Sequence, residues 1–272
     1  MFKSITTRGF TKSTTLFILI LGSLIAILDV VENNVIHLKP SDYWDYPLGV
    51  YNWWFLFNPE IYLSIIITVF PLLASVPYAD SYIEEKKSGF LKNILLRQNK
   101  NKYLTTKFFI NFLIGGMASI TPLVLNLIVY FSLLPAIKPN IYFGNIPVFG
   151  FLPDLYVNHP LIYIIIRIGN CFIFGGIFAS IALTCSLFVE NRYIAIGIPF
   201  FIYTILDIIL DTFNFQSYSP LKFLFLDVPF TYGIYVIATV TIIILFVVFC
   251  VGGKKSENSS FMYAITLNIL YC

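Results

Sequence analysis

The chain has 272 residues, of which 58% are hydrophobic and 11% charged, with a formal net charge of +3. A soluble globule carries about half apolar residues; here the excess falls in long uncharged runs, and the mean hydropathy is +0.84. A simple soluble domain is excluded, and the small net charge argues against a nucleic-acid binder.

In chain order, a basic amphipathic segment (1–14) carries Lys3, Arg8 and Lys12. The apolar run after it is followed by Asp29, Val30, Val31 and Glu32 rather than by a small-x-small cleavage site, so it reads as a retained first span. A bilayer core of ~30 Å needs about 20 apolar residues per helix. Six segments are candidates: Thr15–Val31, Glu60–Tyr78, Phe108–Leu134, Leu161–Val189, Tyr193–Asp211 and Tyr232–Val251. The runs do not alternate, which favours helices over barrel strands. Pro71, Pro77, Pro122 and Pro199 predict kinks that neighbouring helices tolerate.

Between the first two spans, residues 43–57 (YWDYPLGVYNWWFLF) are rich in Trp and Tyr, and Trp44, Trp53 and Trp54 suit an interfacial belt. The stretch 212–231 is too apolar for a solvated loop and too broken to span, which predicts a re-entrant or interfacial helical piece on the outer side. The tail 252–272 ends in an apolar run of 12 residues, too short to cross. The four cysteines read as small buried hydrophobes. Cys171 and Cys185 on one helix would be about 21 Å apart, too far for a disulfide.

With the N-terminus inside, the inner segments hold thirteen basic residues and the outer loops three, Lys39, Lys138 and Lys222. This asymmetry follows the positive-inside rule and places both termini in the cytoplasm. Seven of the thirteen, Lys86, Lys87, Lys92, Arg97, Lys100, Lys102 and Lys107, lie in one window beside Glu84-Glu85. Plain topogenic charge touching anionic lipid would explain the bases. It would not require two glutamates, a Ser88-Gly89 break, or the apolar face begun by Phe90, Leu91, Ile94 and Leu95.

The run Glu85-Lys86-Lys87-Ser88-Gly89-Phe90-Leu91, then Ile94-Leu95-Leu96, then Lys107, resembles the cytoplasmic loop of ATP-binding-cassette (ABC) type-2 permeases. It departs where that family usually has a proline turn: Gln98-Asn99-Lys100 stands there. Lys87 also replaces a common second acid. The resemblance implies an all-α, six-helix permease domain (15–251) in which 80–107 is a coupling helix region docking on a separate ATPase. Glu84, Glu85, Ser88, Gly89, Phe90, Lys92 and Arg97 would then be the coupling residues. It further implies a second permease copy or sister permease. ATP and magnesium would be bound by the partner ATPase, not by this chain. Spans two and five line the cavity in that family, which marks Ile65, Phe70, Phe200 and Tyr203. Apolar walls suit an amphipathic cargo such as an antimicrobial peptide. Export of drug, lipid or polysaccharide-lipid, and a non-transport immunity or scaffold protein, are the alternatives. Richness in Ile, Phe, Asn, Lys and Tyr suits a bacterial cell-membrane protein from an AT-rich genome.

An enzymatic reading finds little in the sequence. The only Gly-Lys pair, Gly253-Lys254, lacks the spacing of a phosphate-binding loop. Glu84-Glu85 resembles the start of the membrane CAAX-protease signature EExxxR, but Gly89 stands where its arginine belongs. Both histidines, His37 and His159, fall in expected outer loops. Charged groups within spans are costly and usually paired, so Arg167 is expected to pair with Asp207 or Asp211. Gly175-Gly176 with Ala179-Ser180 forms a close-approach face, for packing within the chain or for a dimer.

Overall fold

The computed structural model describes residues 2–37, 49–57, 61–97, 99–139, 150–225 and 231–270. Among these no strand forms; the structure is all-helical. Five helices are long and apolar enough to cross a membrane. Lys39 and Trp44 lie outside the described residues, as do the side chains of Lys92 and Arg97.

A short basic helix α1 (Phe2–Thr11) leads into α2 (Ser13–His37), followed by a small turn of helix α3 (Val50–Trp53). The second rod, α4 (Ile61–Ser75), is only 15 residues long, shorter than expected, because the chain turns at 76–80 around Pro77. Helices α5 (Ser81–Lys87) and α6 (Phe90–Arg97) follow, then α7 (Lys100–Leu133). The latter begins eight residues before the expected span. Its start is set by Asn99, whose side chain accepts from the Asn101 amide at 2.9 Å. An asparagine cap satisfies one of the free amides of a first turn. It therefore restarts the helical chain at the place where the sequence departs from the proline turn of the family it resembles.

Two further rods are α9 (Pro160–Cys185), preceded by a short α8 (Pro153–Asn158), and α10 (Arg192–Thr212). Asn191 caps α10 in the same way, accepting from the Tyr193 amide at 3.0 Å. A six-residue α11 (Pro220–Phe225) provides the helical piece expected in 212–231, and its Phe223, Leu224 and Phe225 are buried. Then α12 (Gly233–Leu270) runs without a break through Gly252-Gly253, where the sequence suggested a separate tail.

The centre of the bundle is the pair α7 and α9, on which α2, α4, α10 and α12 pack. Small residues bring it together. A Cβ on Gly115 would lie 2.3 Å from the Ala179 Cβ and 2.8 Å from the Ala74 carbonyl oxygen. One on Gly175 would lie 2.0 Å from the Ser119 Oγ. The small-residue face of α9 is thus used within the chain. Asn111 fixes the same contact by donating to the Ala179 carbonyl at 2.8 Å. Trp54, expected in an interfacial belt, is instead fully buried, its indole N–H on the Leu123 carbonyl at 3.2 Å.

The basic segments meet at one end. Thr15 donates to the Pro77 carbonyl at 3.1 Å, Lys12 reaches Asp80, and Lys100 donates to the Lys254 carbonyl at 2.9 Å. At the other end Asp29 accepts from Asn126 at 2.8 Å and Tyr130 at 3.2 Å, and Tyr156 donates to the Tyr51 carbonyl at 2.7 Å.

Candidate functional site

At the basic end α5 and α6 form an elbow. Its bend is Gly89, at φ 71°, a left-handed backbone that glycine adopts without Cβ strain. The Ser88 amide bonds the Glu84 carbonyl at 2.9 Å and the Gly89 amide the Lys86 carbonyl at 3.3 Å, closing α5. Beneath the elbow, Tyr82 and Leu91 pack with Tyr103, Leu104, Phe108 and Phe249.

Successive helical residues point about 100° apart, since a turn takes 3.6 residues. The two glutamates therefore face different surroundings. Glu85 is 7% exposed and sits 2.6 Å from the Nζ of Lys107, which is wholly buried. The Tyr103 hydroxyl also donates to Glu85. The same ammonium lies 5.0 Å from the Tyr78 ring centroid and 5.8 Å from that of Tyr103. Tyr103 and Lys107 are four residues apart on α7, so they share the face that meets α5.

Glu84 is exposed and bridges two other elements. Lys12, at the α1–α2 junction, lies 3.0 Å away; Arg192, opening α10, lies 3.8 Å away. Lys12 also meets buried Asp80 at 2.5 Å. Burial raises the Asp80 carboxyl above its ordinary range, and Lys12 opposes the rise. On one side of Glu84 and Ser88 lies a cleft of about 430 Å³ towards Arg8 and Thr11. On the other lies a cleft of about 810 Å³ towards Glu190 and Tyr193.

Of the expected coupling residues, Glu84, Ser88 and Phe90 are at the surface and Gly89 is partly exposed. Glu85 is not available to a partner, because its charge is used inside the chain. Phe90 is covered on one side by the Arg8 guanidinium, 4.5 Å from its ring centroid. Leu96 is 85% exposed. Lys12, Asp80, Tyr103 and Arg192 are site residues that sequence reasoning missed. Only the Tyr103–Lys107 spacing offered a signal.

Two further expectations need correction. Arg167 pairs with neither aspartate: its Nη1 and Nη2 donate to the carbonyls of Phe223 (2.8 Å) and Leu224 (2.7 Å). Asp207 accepts from the Ser219 hydroxyl at 2.6 Å, and Asp211 from Gln216 at 2.7 Å and from Lys222. The segment carrying α11 supplies the partners for all three charges. Of the four expected cavity residues, Phe70 and Tyr203 are buried against Phe178, with ring centroids 6.1 and 5.4 Å away. Phe200 is half-buried beside Phe201, and only Ile65 is exposed. Within one chain these four line no common wall.

The chain matches no protein-family model, and no curated protein or solved structure is significantly similar to it.

Proposed function

We propose that this chain is the membrane-spanning permease subunit of an ATP-driven ABC exporter, with α5–α6 as the element that couples it to a separate ATPase. In this reading α2, α4, α7, α9, α10 and α12 are the six spans, and both termini are cytoplasmic. The observation that carries it is the elbow's attachment. It is joined to α7 by Glu85–Lys107 and to the starts of α2 and α10 by the Lys12–Glu84–Arg192 bridge. A force applied to an element held at three rods tilts the rods; a flexible linker would absorb it. The short α4 crosses with the help of the turn at 76–80.

The partner chain binds ATP and magnesium and does the hydrolysis. The cargo is an amphipathic or hydrophobic molecule, such as an antimicrobial peptide. Its path runs between two permease copies, along outward apolar side chains such as Ile65, Phe201 and Ile205, which are exposed in the single chain. In this reading the protein sits in a bacterial cell membrane and moves its cargo by alternating tilting of packed spans.

The test is co-expression with ABC-type ATPase chains from the same genome, followed by reconstitution in proteoliposomes. ATP hydrolysis that depends on the permease, and that falls in Gly89→Pro and Glu84→Arg without loss of folded protein, is the expected result. Full activity of the protein with no ATPase present would defeat the reading.

A further inference from the structure

A buried arginine in a membrane bundle needs its charge compensated, since removing an ion from water costs several kcal/mol (of order 5) even after relaxation. Arg167 is 4% exposed and lies seven residues after Pro160, the first residue of α9, or about 10 Å along the axis at ~1.5 Å per residue. Its partners are two neutral carbonyls at the C-terminal end of α11. Those dipoles orient the guanidinium but bring no full negative charge.

A guanidinium has two forks. The end fork, Nη1 and Nη2, is the one engaged by Phe223 and Leu224. The side fork contains Nε–H, which is buried and has no acceptor among the described residues. Three residues on, on the same face of α9, Asn170 is 5% exposed, and its Nδ2 is a second buried donor without an acceptor. Its Oδ1 is already used by the Tyr235 hydroxyl at 3.1 Å. The Phe151 ring lies 5.4 Å from the Arg167 guanidinium carbon, giving it an apolar side wall.

One net cation and two orphaned donors therefore occur on one face of α9, and among the described residues no carboxylate bonds to them. We infer that the side fork of Arg167 and the carboxamide of Asn170 form a receptor for a single oxyanion group of the carboxylate or phosphate class. A planar fork takes such a group through two parallel hydrogen bonds, and a buried site makes them strong. The site is read on this chain alone, so it stands or falls independently of any ATPase.

The test uses the full chain, delipidated in an uncharged detergent. Its melting temperature is followed as sodium acetate or inorganic phosphate replaces sodium chloride at fixed ionic strength. A saturable rise with at least one of them is expected, with affinity at least tenfold weaker in Arg167→Lys and Asn170→Ala. Lysine keeps the charge and loses the fork; Asn170→Ala leaves Arg167 in place and carries the test if the lysine variant does not fold. No saturable rise, or an equal rise in all three proteins, overturns the inference. Native mass spectrometry after exposure to phosphatidylglycerol vesicles separates the sources. A lipid retained by the native chain and lost in Arg167→Lys assigns a lipid phosphate; a response to acetate alone assigns a carboxylate.

Discussion

At the basic end Lys107 meets a carboxylate, Glu85, at 2.6 Å, whereas at the opposite end Arg167 donates to the carbonyls of Phe223 and Leu224 and, among the described residues, meets no carboxylate. Both cations are buried, and both tie a short helix to a long one. The carboxylate cancels the charge it holds, so the α5–α7 joint is electrically complete. The carbonyls fix a backbone segment and leave a net positive site. Removing a partner should thus be costly at the first end and alter binding at the second.

The largest effect is expected from Lys107→Met, which strands the Glu85 charge. Breaking one side of a buried pair costs about 3–5 kcal/mol. Glu85→Gln combined with Lys107→Met should recover most of it, since the amide is neutral and still accepts from Tyr103. Unfolding in mixed detergent micelles reads both; a double variant as weak as the single one would show that the pair is not what holds the joint.

Next comes the α7–α9 contact that supports both ends. Gly115→Ala gains about 1 kcal/mol of helix propensity but overpacks, at a cost of about 1–3 kcal/mol, so a net loss is expected. Gly169→Ala on α9, with nothing within 4 Å of the added Cβ, should gain stability. Equal responses would mean that the small residues are not packing the spine.

Gly89→Ala meets no neighbour, yet its φ of 71° makes a Cβ cost about 1–2 kcal/mol. The loss should be smaller for asparagine, which tolerates that backbone, and amide exchange should rise first in α5 and α6. Protection lost elsewhere instead would argue that the elbow bends at another place. The smallest effect belongs to Glu84→Gln. Exposed pairs contribute up to about 1 kcal/mol and are screened by salt, so the difference from the native chain should fade at high ionic strength. A difference insensitive to salt would show that the bridge is not electrostatic.

Much of this architecture was legible in the residues. Long apolar runs give membrane-length helices because unpaired backbone cannot sit in hydrocarbon. Ser88-Gly89 marked the elbow because only glycine takes its backbone freely. The start of α7 was misjudged because the Asn99 cap lies in a polar stretch, where hydropathy gives no signal. The end of α4 was misjudged because the apolar composition continues past the helix to Tyr78.

Sequence alone determined that the chain is helical, that it carries helices long and apolar enough to cross a membrane, and that its bases cluster. Those properties depend on run length and local backbone preference. Only the tertiary structure decided which charge meets which. Lys107 chooses Glu85 and not Glu84 because helical residues one apart diverge, and Arg167 takes carbonyls because α11 folds back to it. Such choices depend on distances between segments far apart in the chain, which no local pattern encodes.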